Sequence, residues 1–230
     1  MIDPVKLVQG LLEASQRGGA RICKATVTQL EQAQGYTRIH TTQGTLSTDR
    51  VLVATNAWIS ELFPSFSQVI TPVRGQVLSY DPLPTIFPTG MAASLTATHE
   101  YWQQTLDGTI VLGGCRAIAS GGDIGIRESE PTKDVQDALE QVLPRLFPHL
   151  SPLHVRKRWA GLMAFTPDYV PIVDHAPSTE DIWVAGGFSG HGMPFGIKLG
   201  QLLAQELIRP KSSPELQPFR LDRPTLHIAQ

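Results

Sequence analysis

Apolar residues recur at helical spacing at Val5, Val8, Leu11 and Leu12, directly after Asp3 and Pro4. An aspartate can cap a helix, and proline fits the first helical position. Gly18-Gly19 stops the run. Short stretches of β character follow at 21–24, 25–32, 36–41 and 44–47, then a compact apolar run, Val51-Leu52-Val53-Ala54, which predicts a buried strand. Between about 63 and 153 the texture changes: prolines 82, 84 and 88 cluster, and strand-like runs at 75–80, 99–104 and 109–112 alternate with turns. Asp107-Gly108 separates the last two runs and is a hairpin turn signal. Thr132 can cap a helix whose Val135, Leu139, Val142 and Leu146 form one stripe, disturbed near its end by Pro144. Ile182-Trp183-Val184-Ala185 then reads as a buried strand, 186–192 as a glycine-rich turn and 194–208 as a helix, ahead of a proline-punctuated tail that reads as loose.

The order is therefore α/β, then β-rich, then α/β. It predicts a mixed α+β and α/β fold in which residues 1–62 and 154–230 form one domain and 63–153 an inserted antiparallel sheet with a helix against it. At 230 residues, 41% hydrophobic and 17% charged, the chain can bury a real core without covalent staples. A formal charge of -2 with no Lys/Arg block gives no nucleic-acid footprint. Cys23 and Cys115 are the only cysteines, and no Cys/His pair has zinc spacing, so neither a disulfide framework nor a metal site is expected. The amino terminus has no signal-peptide pattern and no apolar run approaches the ~20 residues of a membrane helix. A cytoplasmic location is expected.

The most informative stretch is 182–203, IWVAGGFSGHGMPFGIKLGQLL. A strand running through glycines into a helix presents free N–H groups and the positive end of the helix dipole, which favour an anion or a developing negative charge. Glycines 186, 187, 190 and 192 exceed what a turn needs and point to a ligand, whereas Gly196, Gly200 and Ala204 read as a smooth face packed on a sheet. Gly187-Phe188-Ser189-Gly190-His191 also approximates the G-x-S-x-G elbow of serine hydrolases, with Asp222 and His227 as the remaining triad candidates, but His191 stands where that elbow needs glycine. Trp58, Trp159 and Trp183 read as core residues, and Arg74 as the partner of a carboxylate. Asp168 and Asp174 read as turn residues.

Several segments together resemble the FAD-dependent D-amino-acid oxidase superfamily, in particular its glycine oxidase and sarcosine oxidase-like branches. They are DPVKLVQGLLEASQRGGA, ATVTQLEQ, VLVATNAWISEL, TPVRGQVLSY, DGTIVLGG, RWAGLMAFTPDYVPIV and GGFSGHGMPFGIKLGQLLAQEL, in the family's order across residues 3–208. The resemblance implies an FAD-dependent oxidoreductase that oxidises a C–N bond of an amine or amino acid by hydride transfer to a non-covalently held flavin. It implies cofactor contacts from Val27, Ala54, Thr55, Trp58, Gly187, Ser189, Gly190, His191, Gly192, Met193, Pro194, Phe195 and Gly196. His191 is the catalytic candidate, and Tyr101 and Met163 are the substrate-side candidates.

Three departures qualify what the resemblance implies. The family's G-x-G-x-x-G turn occurs nowhere in the chain, so the nucleotide-binding amino-terminal segment is expected to be missing, and a missing half or a second copy is an expected partner. An inactive split chain acting as a partner subunit is the alternative. Met163 stands where the glycine oxidase branch has its carboxylate-binding arginine, and Pro194 where the sarcosine oxidase branch has lysine, so amines are as acceptable as amino acids. Asn56 replaces the usual glycine of the V-x-A-T/A-G-A-W-S stretch.

Overall fold

The computed structural model describes residues 2–208 and 213–227, with the backbone alone for His227. Helix α1 (Pro4–Arg17) precedes β1 (Val27–Ala33), β2 (Tyr36–Thr41), β3 (Gly44–Thr48), β4 (Val51–Val53) and the short α2 (Ile59–Leu62). Strands β5 (Thr71–Tyr80), β6 (Met91–Ala93), β7 (Glu100–Gln104) and β8 (Ile110–Gly114) lead to α3 (Lys133–Leu146) and β9 (Val155–Phe165). Then come β10 (Ile172–His175), β11 (Ile182–Gly186) and α4 (Gly192–Ile208), with 3₁₀ turns at Pro214–Phe219 and Pro224–His227. This is the mixed α/β class that the periodicity predicts. The chain divides into two compact units, Pro72–Met163 and Ile2–Thr71 with Ala164–Gln230.

In the unit Pro72–Met163, five strands run in the order β6-β7-β8-β5-β9. One face of the sheet supplies Leu78, Tyr80, Trp102, Ile110 and Leu112, which are buried with Val135, Leu139, Val142 and Leu143 of α3. Each such side chain contributes about 1.5–3 kcal/mol of burial, so the helix is held by its stripe. Pro144 does not end the helix. Its missing N–H would have met the Glu140 carbonyl, and that oxygen accepts instead from the Tyr80 hydroxyl at 3.4 Å. Thr132 stands at the N-cap position, but its hydroxyl accepts from Gln76 Nε2 at 2.9 Å rather than from the helix. Arg74 donates to both oxygens of Asp123, at 3.0 and 2.6 Å, the carboxylate partnership expected of it.

In the other unit, β1, β2 and β3 form an antiparallel meander. A second sheet runs β10-β11-β4, and β4 lies parallel to β11 with Val51 opposite Ile182 and Val53 opposite Val184. The two apolar runs that the sequence singled out are therefore neighbours. Leu199, Leu202 and Leu203 seat α4 on Val173, Trp183 and Ala185. Helix α1 is capped as expected, with Asp3 Oδ1 accepting from the N–H groups of Val5 and Lys6 at 3.0 and 3.1 Å, yet none of its residues is buried.

Four expectations need correction. Residues 21–24 are not a strand, because their backbone pairs with no neighbour and the meander starts only at Val27. The tail is not loose over 213–227: Leu216 and Leu226 are buried, and Arg223 donates to Asp168 Oδ2 and Oδ1 at 2.7 and 3.0 Å and to the Val170 carbonyl at 2.7 Å. Arg220 likewise donates to Asp174 at 2.7 Å, so the two aspartates anchor the tail as well as shaping turns. Trp58 and Trp159 are not core residues, at 44% and 40% exposure; of the three tryptophans read as core, Trp183 is the buried one.

Candidate functional site

The carboxyl ends of β4 and β11, which are parallel, lie side by side, the place where open α/β sheets bind ligands. The chain leaves β4 through Ala54 and Thr55, both exposed, and turns at Asn56 with φ 50°. It leaves β11 through Gly186 and Gly187. A Cβ on Gly186 would fall 2.4 Å from Ile59 Cδ1 and 3.2 Å from the Asn56 backbone, so the two strand ends can approach only because residue 186 is glycine. Asn56 Oδ1 then accepts from the Gly187 N–H at 3.1 Å.

The loop beyond is unusual in backbone conformation. Gly187, Ser189 and Gly190 all have positive φ, at 69°, 49° and 82°. Ser189 pays for its strained conformation by being tied down: its N–H donates to the Ala164 carbonyl at 2.8 Å, and its hydroxyl donates to the Gly187 carbonyl at 3.2 Å and accepts from the Thr166 N–H at 3.2 Å. It is 3% exposed, which removes it as a hydrolase nucleophile and assigns its side chain to holding the loop. Asp222 is exposed on the tail, and the side chain of His227 lies outside the described residues.

What the rigid loop presents outward is different in kind. Gly190, His191, Met193, Pro194 and Gly196 are exposed, while Gly192 and Phe195 are half-buried, the latter against Phe219. The N–H groups of Gly192 and Met193 at the start of α4 have no intrahelical partner, and Pro194 has none to offer. Apart from chain neighbours and the helix's own backbone, no heavy atom lies within 4 Å of where a Cβ would stand on Gly190, Gly196 or Gly200. The packed-face reading of Gly196, Gly200 and Ala204 is therefore overturned: all three are exposed, and α4 is seated by its leucines instead. Val27 is exposed at the head of β1, and the exposed Trp58 follows the β4 turn.

The second cluster lies on the face of the five-stranded sheet away from α3. Tyr101 on β7 stands directly opposite Gly113 on β8, which in turn stands opposite Val77 on β5. A Cβ on Gly113 would fall 2.5 Å from the Tyr101 Cζ and hydroxyl oxygen, so the ring lies flat across that glycine. Burial of this end raises the phenol's pKa above its ordinary value, although the residue as a whole is 52% exposed. From the other side, Met163 Cε sits 2.9 Å from where a Cβ on Gly75 would stand. The structure thus brings Tyr101 and Met163 onto one face, and adds Gly75 and Gly113, whose signal was glycine inside a strand pattern.

A model of the DAO family, described as FAD dependent oxidoreductase, matches residues 1–206. The chain belongs to this family. The probable oxidoreductase OrdL of Rhizobium meliloti is 26% identical over 209 residues, covering 89% of this chain and 46% of that protein. Glycine oxidase of Pseudomonas aeruginosa is 27% identical over 168 residues, covering 72% and 43%. Among solved structures, glycine oxidase from Geobacillus kaustophilus superposes with a TM-score of 0.81 at 21% identity, over 94% of this chain and 57% of that one. The chain spans about half the length of the curated relatives it matches.

The family's flavin can be tested against the β11–α4 loop. A flat ring needs an uncrowded approach and N–H donors aimed at its developing negative charge. Glycines 190 and 196 face open space, and the Gly192 and Met193 amides have no intrahelical partner, so the residues present fit the ring of FAD. Among the described residues no three His, Cys, Asp or Glu side chains cluster to hold a metal, and no helix is long and apolar enough to cross a membrane.

Proposed function

We propose that residues 1–230 carry the flavin-ring and substrate residues of an FAD-dependent oxidoreductase that oxidises a C–N bond of an amine or amino acid. The observation that carries this reading is the loop 187–196, rigid within and bare outward, at the carboxyl ends of the two parallel strands. Bound FAD supplies the hydride acceptor. The chain's own part is to hold the ring: Gly190 and Gly196 leave room for its face, and the amides of Gly192 and Met193 donate to the negative charge that reduction creates. His191, exposed on the loop, is assigned the polar contact beside the reacting atoms. Ala54, Thr55 and Trp58 border the same strand ends, and Val27 is assigned to the adenine end.

Tyr101 and Met163 are assigned to substrate. Neither offers a positive charge to a carboxylate, which supports amines at least as well as amino acids. The sequence holds no G-x-G-x-x-G turn, so the reading gives residues 1–230 the ring side of the FAD site and leaves the pyrophosphate to a further segment or partner. Two unbridged cysteines fit a reducing, cytoplasmic setting. The reading is tested by adding FAD and candidate amines, without oxygen, to the protein supplied with a G-x-G-x-x-G segment and following the visible flavin absorbance. Bleaching by an amine, diminished in His191→Ala, supports it; an unbleached flavin with every amine and amino acid contradicts it.

A further inference from the structure

Two side chains lean toward each other over two adjacent glycine-bearing strands. Tyr101 reaches in from β7 and lies across Gly113; Met163 reaches in from β9 and lies across Gly75. Gly113 and Val77 are paired neighbours, and Gly75 is two residues from Val77 on the same face of β5. The floor between the two side chains therefore consists of backbone and one valine. Neither glycine has a left-handed φ; a Cβ on Gly75 would meet Met163 first, with backbone no nearer than 3.9 Å, and the three atoms nearest a Cβ on Gly113 all belong to the Tyr101 ring. What each spares is only the far end of one flexible side chain.

We infer that Gly75 and Gly113 are specificity-determining residues, which lay Met163 and Tyr101 flat so that the floor accepts a planar, uncharged substituent of an amine. This rests on the proposed substrate role of that face. Charge supports it, because the floor itself offers an aromatic ring, a thioether and an isopropyl group, and the cation that strand alternation places on this face, Lys157, stands six residues from Met163 on β9. Trp159, exposed and sharing the face of Met163 by strand alternation, extends the same apolar character. A planar group gains area and ring contacts on such a surface, whereas a small carboxylate would exchange its water for the Tyr101 hydroxyl alone. Tyr101's phenol, whose pKa burial raises, stays neutral at ordinary pH and can donate a hydrogen bond to the occupant or accept one from it.

Gly113→Ala serves as the test because the three atoms nearest the new methyl all belong to the tip of the Tyr101 ring. The protein is labelled at its methionine methyls, and Met163 is assigned from its loss in Met163→Leu. N-methylbenzylamine should shift the Met163 resonance and leave Met91 and Met193 in place, and sarcosine should not move it. Gly113→Ala should abolish the shift and lower the Tyr101 phenol pKa, read as the ultraviolet difference against Tyr101→Phe. An equal response to sarcosine, no response to N-methylbenzylamine, or an unchanged response in Gly113→Ala overturns the inference. No flavin is used, so a failure here is separate from a failure of the flavin chemistry.

Discussion

Asn56 Oδ1 accepts a hydrogen bond from the Gly187 N–H at 3.1 Å, and so ties the end of β4 to the turn after β11. Asn56 is itself in the left-handed region, where asparagine is one of the few tolerated side chains. The residue thus supplies the conformation that a glycine would give and adds a bond that a glycine could not.

Replacing it separates the two effects. Asn56→Ala should cost about 2–3 kcal/mol, the lost hydrogen bond plus the left-handed strain. Asn56→Gly should cost about 1 kcal/mol or less, because only the bond is lost. Urea midpoints at constant slope give the ranking. Equal losses in the two variants would show that the bond, not the backbone, dominates, and a glycine variant less stable than the alanine variant would contradict the left-handed strain.

Arg223 and Asp168 make the equivalent test of the tail. Both are at least nine-tenths buried, and removing one partner of such a pair costs about 3–5 kcal/mol. Arg223→Ala should therefore release the tail to proteolysis. Hydrogen bonds from Arg223 hold the Asp168 carboxyl well below the usual carboxylate range. A depressed acid stabilises the fold above its unfolded pKa, and that contribution is lost as pH falls through the ordinary range toward the lowered folded value. Thermal stability should fall over that acidic window, and less steeply in Asp168→Asn.

The two thiols should differ sharply. Cys115 is 1% exposed, and burial, with Glu100 beside it, pushes its pKa up to about 12, whereas Cys23 is exposed. A thiolate reagent at neutral pH should modify one cysteine in the folded protein and two in denaturant. Prompt modification of both without denaturant would contradict the burial.

Much of this was legible in the sequence because apolar periodicity reports burial. The β4 and β11 runs, the α3 stripe and the glycine turn all stand where the pattern put them. What was not legible depended on partners distant along the chain. Trp58 and Trp159 were read as core from residue type alone, and type says nothing of which face is covered. The tail looked loose because its prolines hide an anchor formed by two arginines with aspartates about fifty residues away. Gly196 and Gly200 resembled packing glycines, and only the surrounding empty space shows otherwise. Gly113 acquires meaning solely from Tyr101 across the strand pair.

Met163→Arg should install a carboxylate partner on the sheet face. A charge-assisted bidentate contact contributes about 2–3 kcal/mol, so kcat/KM for glycine relative to a matched amine should rise by roughly 30- to 150-fold in the flavin-loaded protein. Wild-type protein that already favours glycine or sarcosine over matched amines would show that another residue provides the clamp.

The most direct measurement is a fluorescence-quenching titration of the 230-residue chain with FAD and with riboflavin, repeated with a G-x-G-x-x-G segment supplied. With ring contacts from the 187–196 loop and no pyrophosphate cradle of its own, the chain should bind both flavins weakly and about equally, and Gly190→Val should weaken both. Adding the segment should tighten FAD alone. Tight stoichiometric binding of FAD by the chain by itself, or flavin binding indifferent to Gly190→Val, would contradict the assignment of this loop to the flavin ring.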